Sequence, residues 1–367
     1  GLYHSYNLLD WRDDTLEIEP LYEMLEGQVA VLSSGLLTAT ESVEVLDALR
    51  GSALYRKNQN SYVLYPDRQL PRFLEKNEIS RELAESNPLV QRLLAEDDKR
   101  LVHRDVCGGL HFNGDFRNSA DLRNAVEALD GSHDGGAELI QVFDEIFGHR
   151  QFTGRSGTFF GYEGLGSIYW HMVSKLGLAV AENYFLAIET GASENDVRSL
   201  EAHYQAIRRG IGAEKSPSEY GAFPSDPYSH TPENAGVKQP GMTGQVKEDL
   251  LARFAELGVH IEGGCLGFRL ELFDRSELLD QDGEFTFFDL QGQEATVPVP
   301  AKGFGFTLFQ VPFIYQPGDE DRITVCFQTG DPLVIEGLQI DRETSGMLFA
   351  RSGTIKRITC NFGTLRH

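Results

Sequence analysis

Residues Ala235 to Gly264 read AGVKQPGMTGQVKEDLLARFAELGVHIEGG, and the pattern of the chain changes within this stretch. A loop rich in Gly and Pro, which carries Gly241, Thr243 and Gly244, leads into an amphipathic helix that we predict to end at Gly258. Backbone N–H groups, the Thr243 hydroxyl and the positive end of a helix dipole would meet at this junction, which suits an anion or a sugar hydroxyl. The alternative is that Thr243 only caps the helix.

Upstream of this junction, apolar residues recur mainly at helical spacing. The spacing predicts helices over residues 18–34, 40–49, 68–76, 81–96, 119–129, 138–147, 165–188 and 194–209. From Cys265 onward, apolar and polar residues alternate, as in Leu266, Phe268 and Leu270, which is typical of strands. We therefore expect a mainly α fold, with a helical catalytic portion over residues 1–260 and a small antiparallel, β-sandwich-like domain over residues 261–367.

The composition limits the classes of partner. The chain has 367 residues and a net charge of −23, so its surface repels phosphate backbones and anionic lipids but tolerates a neutral carbohydrate. The four cysteines form no close pair and no metal-type spacing, which favours a reducing, cytoplasmic location and no metal. The most apolar stretch, residues 165–188, contains charged side chains and predicts a buried helix, not a membrane span. The aromatic-rich start, GLYHSYN, predicts that the chain is a fragment.

The segment from Thr158 to Lys175, TFFGYEGLGSIYWHMVSK, is the second candidate site. Its glycines lead into a helix whose first turns hold Tyr169, Trp170 and His171. Aromatic faces stack on the apolar faces of sugars, while Glu163 and His171 could bind hydroxyls or an anion. The alternative is a buried helix with a core histidine and core aromatics.

Three weaker clusters also carry polar chemistry. The sequence from His111 to Arg117, HFNGDFR, matches no metal signature, and a salt-bridged hairpin is the better interpretation. The residues from Asp226 to His230 include Ser229, but neighbouring loop residues rarely form a catalytic triad. Asp13 lies in an acidic stretch that is either an acid site or a solvated turn.

Four segments, taken in order, resemble the C-terminal part of the inverting cellobiose and β-glucan phosphorylases. They are GLYHSYNL at Gly1–Leu8, EGQVAVLSSG at Glu26–Gly35, EGLGSIYWH at Glu163–His171, and GMTG at Gly241–Gly244 with the helix that follows. This resemblance implies an (α/α)6 barrel followed by a small β-domain. It also implies a carbohydrate-active enzyme of the glycosidase and glycosyltransferase kind that acts on β-glucosides or oligosaccharides.

The resemblance also implies roles for individual residues. His171 corresponds to the histidine of the family's phosphate site, and Thr243 with Gly244 corresponds to its Thr-Gly phosphate-binding pair. Glu163 would lie near the sugar or the phosphate, beside Tyr169 and Trp170. This chain has Ile168 and Gln245 where the family has Gln and Ser. Because of these departures, the acceptor could be either inorganic phosphate, as a co-substrate, or water. No other cofactor is implied.

The family's general acid is an Asp that would lie upstream of this chain, so a further polypeptide would complete the barrel. Such an acid must protonate the leaving glycosidic oxygen while the acceptor attacks from the opposite face. Three hypotheses follow. The chain is the acceptor side of a glycoside phosphorylase or inverting hydrolase, or a non-catalytic module that binds carbohydrate or another subunit. The third is a free-standing hydrolase that uses Asp13 or Glu163 as its acid.

Overall fold

The computed structural model describes residues 1–5, 7–12, 15–20, 22–64, 66, 72–129, 131–148, 168, 170–211 and 246–366. Its helices are α1 (Leu25–Leu32), α2 (Ala39–Arg50), α3 (Phe73–Lys76), α4 (Arg81–Ser86), α5 (Pro88–Ala95), α6 (Ser119–Glu127), α7 (Gly136–Phe147), α8 (Trp170–Glu189), α9 (Glu194–Arg209), α10 (Val246–Glu256) and α11 (Arg342–Phe349). Short 3-10 turns cover Lys57–Gln59, Arg275–Glu277 and Gly363–Arg366.

The strands form one larger sheet and several hairpins. They are β1 (Asn7–Arg12), β2 (Thr15–Pro20), β3 (Tyr55–Arg56), β4 (Ser61–Tyr62), β5 (Val102–Arg104), β6 (Leu110–Phe112), β7 (Val259–Glu262), β8 (Cys265–Phe268), β9 (Gly283–Phe288), β10 (Glu294–Val299), β11 (Phe304–Leu308), β12 (Val311–Pro317), β13 (Arg322–Phe327), β14 (Leu333–Glu336) and β15 (Ile355–Phe362).

A first hydrophobic cluster surrounds α8, which packs against α1, α2, α9 and α10. Sequence signals fix where its helices begin: Thr38 caps α2 in a capping box with Glu41, and the Ser193 side chain caps α9. Inside the cluster, the buried Asn183 side chain donates hydrogen bonds of 2.8 Å to the carbonyls of Leu32 and Ala179. Its amide oxygen accepts a hydrogen bond from Ser42, so one amide joins α1, α2 and α8.

A second cluster lies entirely within residues 79–147, on α4 to α7 and the β5–β6 hairpin. At its centre, Phe112 meets Phe143 edge to face, with ring centroids 5.0 Å apart. The chain leaves the first cluster after Leu64 and returns at Ile168, because Val63 and Ile168 pair as an antiparallel bridge. The intervening segment is therefore an insertion whose two ends lie side by side.

A third cluster supports the C-terminal sheet, whose strand order is β11-β12-β15-β13-β14. The β12–β15 pair is parallel and the other pairs are antiparallel. Along β15, Ile358, Cys360 and Phe362 point into the core and alternate with half-buried residues on the opposite face. The buried Tyr315 hydroxyl donates a 2.6 Å hydrogen bond to the Leu257 carbonyl, which connects the sheet to the end of α10.

Gly258 makes the change from helix to strand at the end of α10, as the sequence predicts. It has φ of +70°, which favours glycine, and a Cβ built there would lie 1.3 Å from the Arg269 carbonyl oxygen. The backbone of Gly258 also accepts a hydrogen bond of 3.0 Å from the Arg269 N–H. No side chain fits at this crossing, so the helix ends here and β7 begins at Val259.

The predicted fold class is wrong. Of the described residues, 41% are helical and 24% lie in strands, so the protein is not plainly mainly α and does not show a predominantly helical (α/α)6 architecture. Strands β1 to β6 interrupt the supposed helical portion, because short alternating runs such as Leu16-Glu17-Ile18-Glu19 form hairpins. The C-terminal sheet is also mixed and not antiparallel throughout. The domain boundary at residues 260–261 stays a prediction.

None of the helices among the described residues combines the length and the apolar character that a membrane crossing requires.

Candidate functional site

The centre of the candidate site is a hydrogen bond between the first turns of two helices. His171 is the second residue of α8 and Glu248 is the third residue of α10. The Nε2 atom of His171 lies 3.1 Å from Oε1 of Glu248. Because a carboxylate can only accept, Nε2 carries the proton in this bond. The His171 ring is thereby held in one orientation.

The surroundings of Glu248 keep its carboxyl group charged. Its side chain is only 2% exposed, whereas that of His171 is 26% exposed. Burial pushes the pKa of the Glu248 carboxyl upward, but hydrogen bonds from its own backbone N–H and from His171 outweigh burial and lower the pKa below its ordinary value. The first turn of a helix also favours a negative charge. Glu248 is therefore an ionised acceptor for His171 at neutral pH.

The second oxygen of this carboxylate stands out. Oε2 of Glu248 is fully buried and makes no hydrogen bond within the part of the chain that the structure describes. A buried carboxylate oxygen without a donor costs free energy, so such atoms are rare in stable proteins. A group that donates a hydrogen bond to Oε2 would lower this cost.

Further polar contacts fix the two helices against α9. The Ser174 hydroxyl donates to Asp249 at 3.5 Å, and the Arg208 guanidinium lies 3.6 Å from the same carboxylate. Arg208 also contacts Glu256 at 2.6 Å, and the Tyr204 hydroxyl donates to the same Glu256 oxygen at 2.9 Å. These contacts hold α8, α9 and α10 in register, so the distance between His171 and Glu248 is set by packing on three sides.

The structure covers only some of the predicted site residues. His171 is half-buried, as a residue at the edge of a site should be, while Trp170 is only 6% exposed and lies with the core. Their predicted substrate and phosphate roles stay predictions. The remaining candidates fall outside the described residues, and they are Asp13, Glu163, Tyr169, Thr243 and Gly244.

Glu248 was missed by sequence reasoning. Its pairing with a residue 77 positions away leaves no local pattern. The available signal is its position: an acidic side chain in the first turn of a helix that follows directly on a Gly/Pro-rich loop.

The His103–Arg117 region forms the structural hairpin that the sequence favours. Strands β5 and β6 pair with His103 opposite His111. Nε2 of His111 lies 2.9 Å from Asp105, whose other oxygen accepts hydrogen bonds from the backbone N–H groups of Cys107 and Gly109. Among the described residues, no three His, Cys, Asp or Glu side chains gather as a metal site requires. The segment Asp226–His230 falls outside those residues.

A cavity of about 290 Å³ lies further along the same helices, between α8, α10 and β7. Its walls are mostly apolar and include Phe185 and Phe254. The Arg269 guanidinium lies 3.7 Å above the Phe185 ring and 2.9 Å from Glu189. Its charge is thus already satisfied by a cation–π contact and an ion pair.

Comparison with known proteins identifies the insertion. Residues 70–150 match the family model described as GH149 phosphorylase insertion domain 2. This range contains the whole second hydrophobic cluster, so sequence and packing delimit the same unit. The chain is therefore similar in this segment to glycoside phosphorylases, specifically those of the GH149 type. The match covers less than a quarter of the chain, and a search of curated proteins finds no match.

Proposed function

We propose that this chain is part of a glycoside phosphorylase that acts on β-glucosides or oligosaccharides, and that it supplies the contacts to the phosphate. The observation that carries the proposal is the match of residues 70–150 to a phosphorylase insertion domain. A phosphorylase uses phosphate as the nucleophile, so it needs a place that holds this anion against the sugar.

The His171–Glu248 pair supports a phosphate site at the start of α8. The Glu248 carboxylate holds the His171 ring through Nε2, and a histidine with a proton on each ring nitrogen donates hydrogen bonds from both. The loop with Thr243 and Gly244 directly precedes α10 in the sequence. Phosphate between this loop and His171 would accept hydrogen bonds from a histidine that Glu248 holds in place.

In an inverting reaction, phosphate attacks the anomeric carbon on the face opposite to the leaving oxygen. The bond from phosphate oxygen to carbon forms while the glycosidic bond breaks, and a general acid gives a proton to the departing sugar. His171 would bind and orient the phosphate, and Glu248 would act through His171 as a positioning residue. We assign the general acid to a residue other than these two.

Phosphate binding tests this assignment without requiring turnover. Isothermal titration calorimetry with inorganic phosphate should show at least tenfold weaker binding in His171→Ala than in the unaltered chain, about 1.4 kcal/mol. Glu248→Gln keeps an acceptor oxygen but removes the charge. It should bind phosphate several-fold more weakly, because a neutral amide holds the His171 ring less firmly than a carboxylate does.

The matched control is His203→Ala, which removes a histidine on α9 that bonds Asp47 at 2.9 Å instead of Glu248. It should leave phosphate affinity unchanged. Equal phosphate affinity in His171→Ala and the unaltered chain would overturn the assignment. Assay of β-gluco-oligosaccharide cleavage with and without phosphate adds a second criterion. Release of a sugar phosphate supports phosphorolysis, and release of free sugar alone refutes it.

A further inference from the structure

The outer face of the C-terminal sheet carries a groove of about 480 Å³ at the base of the β9–β10 hairpin. This volume falls within the range of about 300–1,000 Å³ that is usual for small-molecule sites. The floor is formed by β12, β13 and β15, on the side away from the core. The wall is formed by Asp282 and Gly283 at the start of β9 and by Pro298, Val299 and Pro300 at the end of β10.

The register of the strands places the floor residues in two rows. Ile314, Thr359 and Thr324 lie side by side across three strands, and Gln316 lies beside Asn361 one step further along. Residues on one face of neighbouring strands are close enough to contact one ligand together. The groove floor therefore offers hydroxyl and amide groups on a rigid sheet.

Several of these groups have no partner among the residues that the structure describes. The hydroxyls of Thr324 and Thr359 make no hydrogen bond to any residue in the described part of the chain. Gln316 donates to the Asn361 oxygen at 2.8 Å, which leaves the Gln316 oxygen as an acceptor and the Asn361 nitrogen as a donor. Both donors and acceptors thus remain to be satisfied.

Arg357, on β15, is the most unusual of these residues. Its side chain is half-buried in the groove, and its Nε atom is fully buried without a hydrogen-bond partner among the described residues. In a chain with 56 acidic and 33 basic residues, a half-buried arginine ordinarily finds a carboxylate. Its guanidinium is a planar set of donors that a ligand in the groove would satisfy.

The combination of charges selects the class of ligand. Asp282 stands on the rim with one oxygen bonded to the Ala301 N–H at 2.8 Å, so a carboxylate and a guanidinium both face the groove. An anion would be repelled by Asp282, and a cation by Arg357. A neutral polyol satisfies donors and acceptors of both kinds, and the apolar side chains of Ile314 and Val299 suit the C–H faces of a sugar ring.

We propose that this groove binds a neutral hexose unit of an oligosaccharide, at a site separate from the His171–Glu248 pair. Arg357, Thr324, Thr359, Asn361 and Gln316 would bind the sugar hydroxyls, and Asp282 would accept a hydrogen bond at the rim. The groove lies on a different hydrophobic cluster from α8, so it would hold an oligosaccharide independently of phosphate.

Isothermal titration calorimetry of the full chain with a neutral gluco-oligosaccharide tests the proposal. Arg357→Ala should weaken binding at least tenfold, and Thr359→Val should weaken it several-fold because it removes one hydroxyl without changing the side-chain shape. Arg342→Ala is the matched control, since this exposed arginine lies at the start of α11, outside the groove lining. It should bind as the unaltered chain does. Circular dichroism verifies that each variant is folded, and Arg357→Met replaces Arg357→Ala if the latter is not.

The outcomes separate this site from the proposed phosphate site. His171→Ala should keep oligosaccharide binding at the groove even where it loses phosphate binding. The proposal is overturned if the chain binds no neutral oligosaccharide, or if Arg357→Ala binds it as tightly as Arg342→Ala does. Binding of inorganic phosphate that Arg357→Ala abolishes, without sugar binding, would also overturn it.

Discussion

The buried His111 should make the stability of the β5–β6 hairpin depend on pH. Both ring nitrogens face acceptors: Nδ1 contacts the Asn77 carbonyl, and Nε2 lies 2.9 Å from Asp105. Only the imidazolium form can donate to both. Burial lowers the pKa of His111, but the bonds to Asp105 and Asn77, and the nearby charge of Glu78, outweigh it and raise the pKa.

The sign of the effect follows from linkage. A raised pKa in the folded state means that His111 contributes its full stability below its unfolded pKa of about 6.5. This contribution is lost as the pH rises through the higher folded pKa. The His111 bond lowers the pKa of Asp105, so the Asp105 contribution is present above about pH 4 and is lost as the pH falls through its depressed folded pKa. The hairpin should thus be most stable in mildly acidic solution.

The variant His111→Phe keeps a buried ring and removes both bonds. Asp105 is 37% exposed and screened by water, so we count only the bond from the charged ring to the buried Asn77 carbonyl, about 2 kcal/mol. At pH 6 this corresponds to about thirtyfold faster hydrogen exchange of the Phe112 amide, which donates to Asn77. Above the folded pKa of His111, the neutral ring keeps one hydrogen bond. The difference in protection between the unaltered chain and His111→Phe should therefore fall by about half.

Hydrogen exchange followed by mass spectrometry, from pH 5.5 to 9 and corrected for intrinsic rates, measures this directly. His103→Gln is the control, because His103 pairs with His111 across the hairpin and its ring lies 5.9 Å away. It should keep the pH dependence of the unaltered chain. Equal protection of the hairpin at pH 6 and pH 9, or unchanged protection in His111→Phe, would refute the assignment of a charged, buried histidine.

Two further predictions concern the packing that positions the candidate site. Gly258→Ala should cost more than 3 kcal/mol in the free energy of unfolding, because the new Cβ would overlap the Arg269 carbonyl; Gly263→Ala, also at positive φ but with open space around it, should cost only about 1 kcal/mol. Urea titration compares the two, and equal losses would contradict the argument. Asn183→Leu should cost about 2–4 kcal/mol by the same measurement, because it leaves buried partners on α1 and α2 unsatisfied; a loss below 0.5 kcal/mol would show that the amide does not join these helices.

Local signals predicted the longer helices well. The predicted helix over residues 194–209 matches α9, which has a serine as its N-cap and a glycine as its C-cap. The predicted helix over residues 81–96 is instead two helices, because Asn87 caps a new helix with Pro88 as its first residue. Strands β1 to β4 escaped detection, since they have two to six residues each and give too few alternations to show a period.

The candidate site was only partly predictable for a different reason. His171 was identified because aromatic residues and glycines surround it in the sequence. Its partner Glu248 lies on a different helix, and no local sequence pattern indicates which helices pack together. The groove around Arg357 has the same origin, because its residues come from β12, β13, β15 and the β9–β10 hairpin. Strand order, which brings β15 between β12 and β13, is decided by packing over the whole sheet.

The two lines of support for a phosphorylase come from separate parts of the molecule. The family match lies in the insertion, whose core shares no residue with the cluster around α8. The His171–Glu248 pair belongs to the helices of that first cluster. The insertion ends at the bridge between Val63, which is fully buried, and Ile168, two residues before α8 begins. Because this buried bridge joins the two ends of the insertion, the first cluster, and not the inserted unit, fixes the position of the start of α8. The match and the geometry are therefore independent, and a failure of His171 to bind phosphate would leave the relation to phosphorylases intact while removing only the proposed site.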